Sequence, residues 1–581
     1  MRITTAASQI ADWLGFGYYL TPGQFTYSVP AQGSIWPGYG NGEETDSAGF
    51  GYADAAMATA FLDAIALWDD LIAPDFSLLP DNAGQRGEVR IAQTDMISTQ
   101  VAYAYYPTLS GNQPGDVWFN AGFGPWDWSK GNFDFYAMVH EVGHVIGLEH
   151  TFDQPTVPRQ FESQRYSVMS YTPVEDYFVS FGWSGDEFFA TFAAPYPQTP
   201  MVLDIAAAQA IYGADRETRA GTTTYRFDQW APGLQTIYDA GGKDTLDLSQ
   251  FTLANHIDLE AGAYSSIGMA TVDQQIAYWS ERFPGEADFI DYIFRSYMPA
   301  QRLNAYEFTD NLAIALGTVI ENATGGSGDD SLFGNAHSNR LIGGAGDDIL
   351  VGRGGSDWLE GGDGDDILIG DADQDSLAPA DAVAAQTLLQ SAPAQFGLIT
   401  AAIGTPDDVR PAPDDPSGGL RVTSGPLKDP TAEPVPSTSV PSGDTDPEWG
   451  RDTLHGGAGD DILIGGKARD VAVGGSGADL FRFADGDMPG KTSYDSDVIR
   501  DFSFAEGDRI DLSGIDAIAG GGNDPFHFIG ADDFSGNAGE LRYEAYSNHL
   551  LLTADVTGDG MIDFALRLDG LNTISASAFI F

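Results

Sequence analysis

Cysteine is absent from all 581 residues. Its absence removes disulfides, thiolate zinc sites and cysteine nucleophiles, and it lets the chain enter an oxidising compartment with no pairing problem. Basic residues are scarce: 27 Lys and Arg stand against 85 Asp and Glu, a formal charge of −58. A surface of that sign is repelled by phosphate backbones and anionic lipid, which argues against nucleic-acid and membrane-surface partners. No stretch approaches the ~20 apolar residues of a membrane span. The opening, MRITTAASQIADWLGFGYYL, has one basic residue, an Asp at position 12 and no continuous apolar core, so it does not read as a secretory signal. The N-terminal half has no G-x-S-x-G nucleophile elbow, which argues against a lipase.

What is present suffices for real cores: 43% of residues are hydrophobic and 12% aromatic. At roughly 150 residues per domain, the length predicts three or four units. Residues 53–73 place Met57, Phe61, Leu62, Ile65, Leu67 and Trp68 at helical spacing, and 135–150 and 201–213 are two further helix candidates. Strand-like runs lie at 88–93, 101–106 and 116–120, the last (DVWFN) being the candidate edge strand for pairing with an extended peptide. Helices mixed with strands predict an α+β unit over 1–213.

Residues 140–150 read His-Glu-Val-Gly-His-Val-Ile-Gly-Leu-Glu-His. His140 and His144, four apart, share one helix face and can grip one ion, with Glu141 beside it. Gly147 lets the chain leave the helix and bring His150 round as a third nitrogen ligand. Three neutral imidazoles leave a fourth position for water, the arrangement of one catalytic Zn²⁺ rather than a closed structural site. Zinc acidifies that water and polarises a carbonyl, while Glu141 moves the proton. The other five histidines (His256, His337, His455, His527, His549) are scattered and read as ordinary residues.

Downstream lies Ser167-Val168-Met169-Ser170-Tyr171. The two stretches together resemble the metzincin metalloproteases, and the Met-x-Tyr form resembles the serralysin family. The resemblance implies that Met169 floors the site and that Tyr171 ligates zinc at rest and swings to stabilise the oxyanion. Thr151 departs from the proline that serralysins usually carry after the third histidine.

Glycine is plentiful, at 71 residues, and from Gly325 it falls into a nine-residue period: six units run to Ala378, and four more run from Pro447. The pattern GGxGxDxUx matches the RTX parallel β-roll, in which glycine turns, sixth-position carboxylates and backbone carbonyls enclose several Ca²⁺ ions. The sixth positions are Asp330, Asn339, Asp348, Asp357, Asp366, Asp375, Asp452, Asp461, Asp470 and Asp479. The eighth positions, predicted to point inward, are Leu332, Leu341, Leu350, Leu359, Leu368, Leu377, Leu454, Leu463, Ala472 and Phe481. Asn339 lacks the charge, and Ala472 fills the core poorly. The serralysin resemblance adds two calcium loops, Arg219, Gly221 and Thr223 facing Asp239, Gly241 and Asp244, with Glu321 closing a neighbouring site. Asp555, Asp559 and Asp563 have EF-hand-like spacing but lack the terminal Glu, so they read first as a turn.

The expected architecture is multidomain α+β. A metzincin-type protease domain (1–213) precedes a calcium-binding β-roll in two parts (214–378 and 447–482). These parts are separated by a Pro/Ala/Ser/Asp-rich linker (379–446), and a closing β unit follows (483–581). The stretch 272–310 looks like a further insertion. The function expected is a secreted zinc endopeptidase acting on protein and peptide substrates. The resemblance implies export by type I secretion machinery through an uncleaved C-terminal signal, although Ala578 departs from the acid usual there. The competing reading is an RTX surface, adhesion or calcium-binding protein with an inactive protease-like domain. Retention of Glu141 and all three histidines favours the enzyme.

Overall fold

Asp54 starts the first long helix, Ala55–Asp69, by accepting the Met57 N–H on its side chain at 2.8 Å. Met57, Phe61, Ile65 and Trp68 recur at helical spacing and are all buried. They pack against a second helix, Phe133–Val145, buried along its whole length from Phe135. The Trp68 indole N–H fixes the crossing by donating to the Val139 carbonyl at 3.1 Å. This second helix is shorter than the 135–150 pattern predicts at its C-terminal end. Gly147 takes φ 92°, and a Cβ there would lie 2.6 Å from the Tyr18 carbonyl, so only glycine makes this exit. A third helix, Val202–Tyr212, ends on Gly213 as expected. The computed structural model describes the chain apart from residues 1, 22–23, 41–42, 83, 98, 108–114, 154–156, 232, 372–449, 489 and 521.

Beside these helices lies a sheet ordered Ser77–Leu78, Thr26–Ser28, Val89–Thr94, Asp116–Asn120, Ala102–Ala104. Asp116–Asn120 corrects an expectation. It pairs in parallel with Val89–Thr94 and antiparallel with Ala102–Ala104, and every residue in it is buried. DVWFN is therefore an internal strand, and Ala102–Ala104 is the edge. Inside the sheet, the Arg90 guanidinium clamps the Asp116 carboxylate through two 2.8 Å bonds.

The nine-residue period winds into two parallel sheets. Strands in one sheet, such as Ile349–Val351 and Ile367–Ile369, align residue for residue at a step of two repeats. The eighth-position leucines 332, 341, 350, 359, 368, 454 and 463, with Phe481, line the interior. Burying a leucine contributes about 2 kcal/mol. Ala472 is only half-buried, as its size suggests, and Leu377 lies outside the described residues. The sheets do not stop with the glycine repeats: Asp497–Ile499, Phe564–Asp569, Arg509–Gly514 and Phe579–Ile580 continue them.

The interruption sits inside one coil rather than between coils. Trp358–Asp363 pairs directly with Thr453–Ala458, and Ile367–Ile369 with Ile462–Ile464. Gly370 stands beside the Asp452 carboxylate as Gly361 stands beside that of Asp366, which makes it the first residue of the unit ending at His455. Gly370-Asp371 and Gly450-Arg451-Asp452-Thr453-Leu454-His455 thus supply eight positions of one nonapeptide coil. Asp375 lies outside the described residues.

Residues 272–310, flagged as an insertion, are largely helical: Val272–Arg282, Ala287–Tyr292 and Met298–Gln301 are α-helices. They pack on the hairpin Asp176–Ser184/Glu187–Ala193 around their own small core of Val179, Phe181, Ile290, Ile293, Phe294 and Met298.

Candidate functional site

The buried helix carries His140, Glu141 and His144, and the Gly147 bend returns His150 to them. One nitrogen from each of the three imidazoles lies within 4.8 Å of the others, the only such cluster among the described residues. Backbone carbonyls fix which nitrogen faces inward. His140 Nδ1 bonds the Val168 carbonyl at 2.7 Å and His144 Nδ1 bonds that of Leu148 at 2.8 Å, turning both Nε2 atoms to the centre. His150 Nδ1 lies 3.1 Å from Asp153 Oδ2, a carboxylate support that sequence reasoning missed. Its Nε2 is 3.1 Å from that of His144 and 2.9 Å from the Tyr171 hydroxyl.

Burial pulls the His140 pKa down to about 3 and that of His144 well below the ordinary range, so both are neutral, the form that ligates a metal. Burial pushes Glu141 up to about 8, and its Oε2 has no hydrogen-bond partner. A buried carboxylate oxygen without a donor is costly. An orphaned carboxylate oxygen beside three converging imidazoles fits a divalent cation with an open position.

Below the trio, Met169 is fully buried, and a Cβ on Gly143 would meet its sulfur at 2.6 Å. The turn carrying it hangs on Asp204, which accepts from Ser167 Oγ at 2.5 Å, Val168 N at 2.7 Å and Met201 N at 2.8 Å. Burial pushes that carboxyl up to about 7. Asp204 was also missed, because nothing local in the sequence ties it to residues 167–169.

The calcium candidates form ladders. Asp330 N–H donates to Asp348 Oδ1, Asp348 to Asp366, Asp366 to Asp461, and Asp461 to Asp479, all between 2.7 and 3.1 Å. Asn339, Asp357, Asp452 and Asp470 form the second ladder in the same way. In Asp348, Asp366, Asp452, Asp461, Asp470 and Asp479 the second oxygen, Oδ2, is buried and has no protein donor. Burial above all pushes these carboxyls up, Asp348 and Asp452 to about 9. Such rows of unmatched oxygens suit Ca²⁺. Asp330 differs, since Gly326 N–H occupies its Oδ2, and Asn339 has its amide engaged by Asn335 and the Glu321 carbonyl.

The ladders run on to Asp497 and Asp508, which accept from Asp470 N and Asp479 N. Both residues lie outside the glycine repeats and were missed. The signal was there in Asp497-Val498-Ile499 and Asp508-Arg509-Ile510, which keep the carboxylate two residues before the inward apolar side chain. The earlier loops also meet. Thr223 N–H donates to Asp244 Oδ1 at 2.7 Å, Gly241 N–H to Asp239 Oδ1 at 2.9 Å, and Asp244 N–H to Glu321 Oε2 at 2.7 Å. Arg219 takes φ 51° in the facing turn, near Gly221. Asp555 is spent on the N–H groups of Gly558, Asp559 and Gly560, the turn reading of that motif.

Comparison with known proteins agrees with this construction. The Peptidase M10 serralysin C terminal family matches residues 202–280 and 452–581. The RTX calcium-binding nonapeptide repeat matches 320–350 and 342–377. Metalloprotease AprA of Pseudomonas entomophila is 30% identical over 45% of this chain and 49% of its own length. Serralysin of Photorhabdus laumondii is 30% identical over 41% of this chain and 45% of its own length. The chain spans about half the length of these relatives. The solved structure of the AlgE6R3 subunit of the Azotobacter vinelandii mannuronan C5-epimerase is 28% identical, over 23% of this chain and 68% of that one, with a TM-score of 0.17. By these matches the chain is similar to metalloproteases and to proteins that carry RTX calcium-binding repeats. Among the metalloproteases it is serralysin-like.

Proposed function

We propose that the protein is a secreted zinc-dependent endopeptidase acting on peptide bonds of extracellular proteins. In this reading residues 1–213 are a metzincin-type catalytic unit. The remainder is a calcium-stabilised roll with a closing C-terminal part, exported by type I machinery. The observation that carries the proposal is the convergence of three buried imidazoles beside the orphaned Glu141 carboxylate oxygen.

His140, His144 and His150 would hold the zinc ion, with the Tyr171 hydroxyl in reach at rest. A zinc ion there supplies Lewis-acid polarisation of the scissile carbonyl and greater acidity to water beside it. An extended peptide lies along the edge strand Ala102–Ala104, just beyond which Tyr106 packs 4.9 Å from His144. Glu141, pushed up to about 8 by burial alone, ionises once a cation stands near it. It then takes the proton of the attacking water and delivers it to the departing amine nitrogen. Tyr171 donates its hydroxyl hydrogen to the oxygen on which negative charge builds. Asp153 holds the His150 ring in orientation, and Met169 closes the floor against water.

Casein zymography of the wild type against Glu141→Gln, with zinc content measured on both, tests this. Loss of the cleared zone at unchanged zinc content is expected. Cleavage by the variant at the wild-type rate would reject Glu141 as the proton carrier, and a protein that takes up no zinc would end the assignment.

A further inference from the structure

Four rings on the Tyr171 side of the metal-ligand cluster are arranged in sequence. His140 and His150 lie 5.3 Å apart at 26°, and Phe152 stacks on the opposite side of His150 at 4.8 Å and only 8°. The Tyr171 ring is 5.1 Å from that of Phe152, and its hydroxyl is 2.9 Å from His150 Nε2. Phe152 is therefore within one side chain's reach of the atoms that would hold the ion, yet it remains 40% exposed. On the other side of the cluster, Tyr106 sits 4.9 Å from His144 and is backed by Phe16 at 4.2 Å, both rings half-buried.

Phe152 is not what secures its loop. Thr151 is fully buried, its N–H donates to the Met169 carbonyl and its carbonyl accepts from Val157 N–H. A large apolar ring left in water at a metal site, on a loop anchored by its neighbour, is surface held ready for a ligand. The nearest carboxylate on this loop, Asp153, faces the His150 Nδ1 atom.

We propose that Phe152 is a specificity-determining residue: its ring forms the wall of a subsite for a large apolar side chain, aromatic or leucine-like, on the substrate residue next to the scissile bond. The proposal rests on the endopeptidase reading. Aromatic packing on such a wall is worth about 10-fold in discrimination against glycine.

The test compares wild type, Phe152→Ala and Phe152→Tyr in the zinc-loaded full-length protein. Calorimetry with glycine, leucine and phenylalanine hydroxamates reads the subsite without turnover, and cleavage of a peptide library reads it with turnover. Wild type should bind phenylalanine hydroxamate about 10-fold tighter than glycine hydroxamate. In Phe152→Ala the ratio should fall to near one at unchanged zinc content, and Phe152→Tyr should keep it. In the library, Phe152→Ala should raise KM for aromatic-flanked peptides and leave kcat on glycine-flanked ones. An unchanged hydroxamate ratio in Phe152→Ala, or no preference in wild type, overturns the proposal. A Phe152-dependent hydroxamate preference in a protein that cleaves no peptide would instead uphold the wall and reject the endopeptidase.

Discussion

Replacing residues 372–449 by a single glycine should leave the calcium roll intact and make it more stable. The structure supplies both the cut and the magnitude. Asp357 N–H bonds the Asp452 carboxylate across 95 residues of chain, where uninterrupted steps such as Asp330 to Asp348 span 18. The Gly450 N–H already bonds Asp371 Oδ1 at 3.2 Å, so the residues flanking the excised segment are in contact. Loop-closure cost scales as (3/2)RT ln n, and the ratio of 95 to 18 gives about 1.5 kcal/mol in favour of the shortened chain. At the usual size scaling that is a rise of about 3–6 °C in the roll's melting temperature. Calorimetry in calcium reads the shift, and calcium titration of the chelated protein reads the stoichiometry. The deletion removes Asp375, and an unchanged ion count is expected. Loss of one ion, or of the calcium-dependent melting transition, would refute the split-coil register and place Asp375 in the ladder.

Acid should substitute for calcium in the chelated protein. Burial pushes Asp348 and Asp452 to about 9 and Asp366 and Asp497 to about 8, from an ordinary 3.8. The folded state therefore holds protons that the unfolded chain releases, and stability falls as pH rises from about 4 towards 9. Calorimetry in chelator should give a higher melting temperature at pH 5.5 than at 8.5, and the opposite order would contradict the burial of these groups. Asp204→Ala leaves the Ser167, Val168 and Met201 donors without their acceptor, and at ~1–3 kcal/mol per buried group should cost ~3 kcal/mol or more. It should also weaken zinc binding in chelator competition, because Val168 orients His140. Asp497→Asn should weaken calcium binding by calorimetry while zinc content stays constant, and an unchanged calcium isotherm would remove Asp497 from the ladder.

The imidazole cluster was legible because its members are local. One helix turn and one glycine bend set the relation of His140, His144 and His150, and both are written within eleven residues. The edge strand was not legible, because the order of strands in a sheet is decided by partners far along the chain. DVWFN has an apolar run that suits an internal strand, but only the pairing of Ala102–Ala104 outside it settles the point. The split coil was not legible for a related reason: stacking rather than phase determines which coil is built, and Gly450 bonds back to Asp371 across the interruption. Asp497 and Asp508 were not legible from the repeat pattern because no glycine pair precedes them. The ladder itself needs only a carboxylate to accept the N–H of the coil before.

The first coils reach into the core of the helical unit, which links the imidazole cluster to the state of the roll. Leu234, Tyr238, Leu253, Tyr264 and Ala313, from the first coils, are buried in the same cluster as Met169 and the His140 helix. Tyr264 stacks edge-on against Tyr166 at 5.3 Å and donates its hydroxyl to the Arg165 carbonyl. Arg165 in turn donates to the Thr309 and Asp310 carbonyls. These contacts immediately precede Ser167, where the turn carrying Met169 begins. Interiors are close-packed, so a shift in the first coils is felt by that turn rather than absorbed between them. Carboxylates that repel one another in the absence of ions would loosen the coils, and the loosening would reach Val168 and, through its carbonyl, the His140 ring. Calcium held by the carboxylate ladders would thus help decide whether the imidazoles converge.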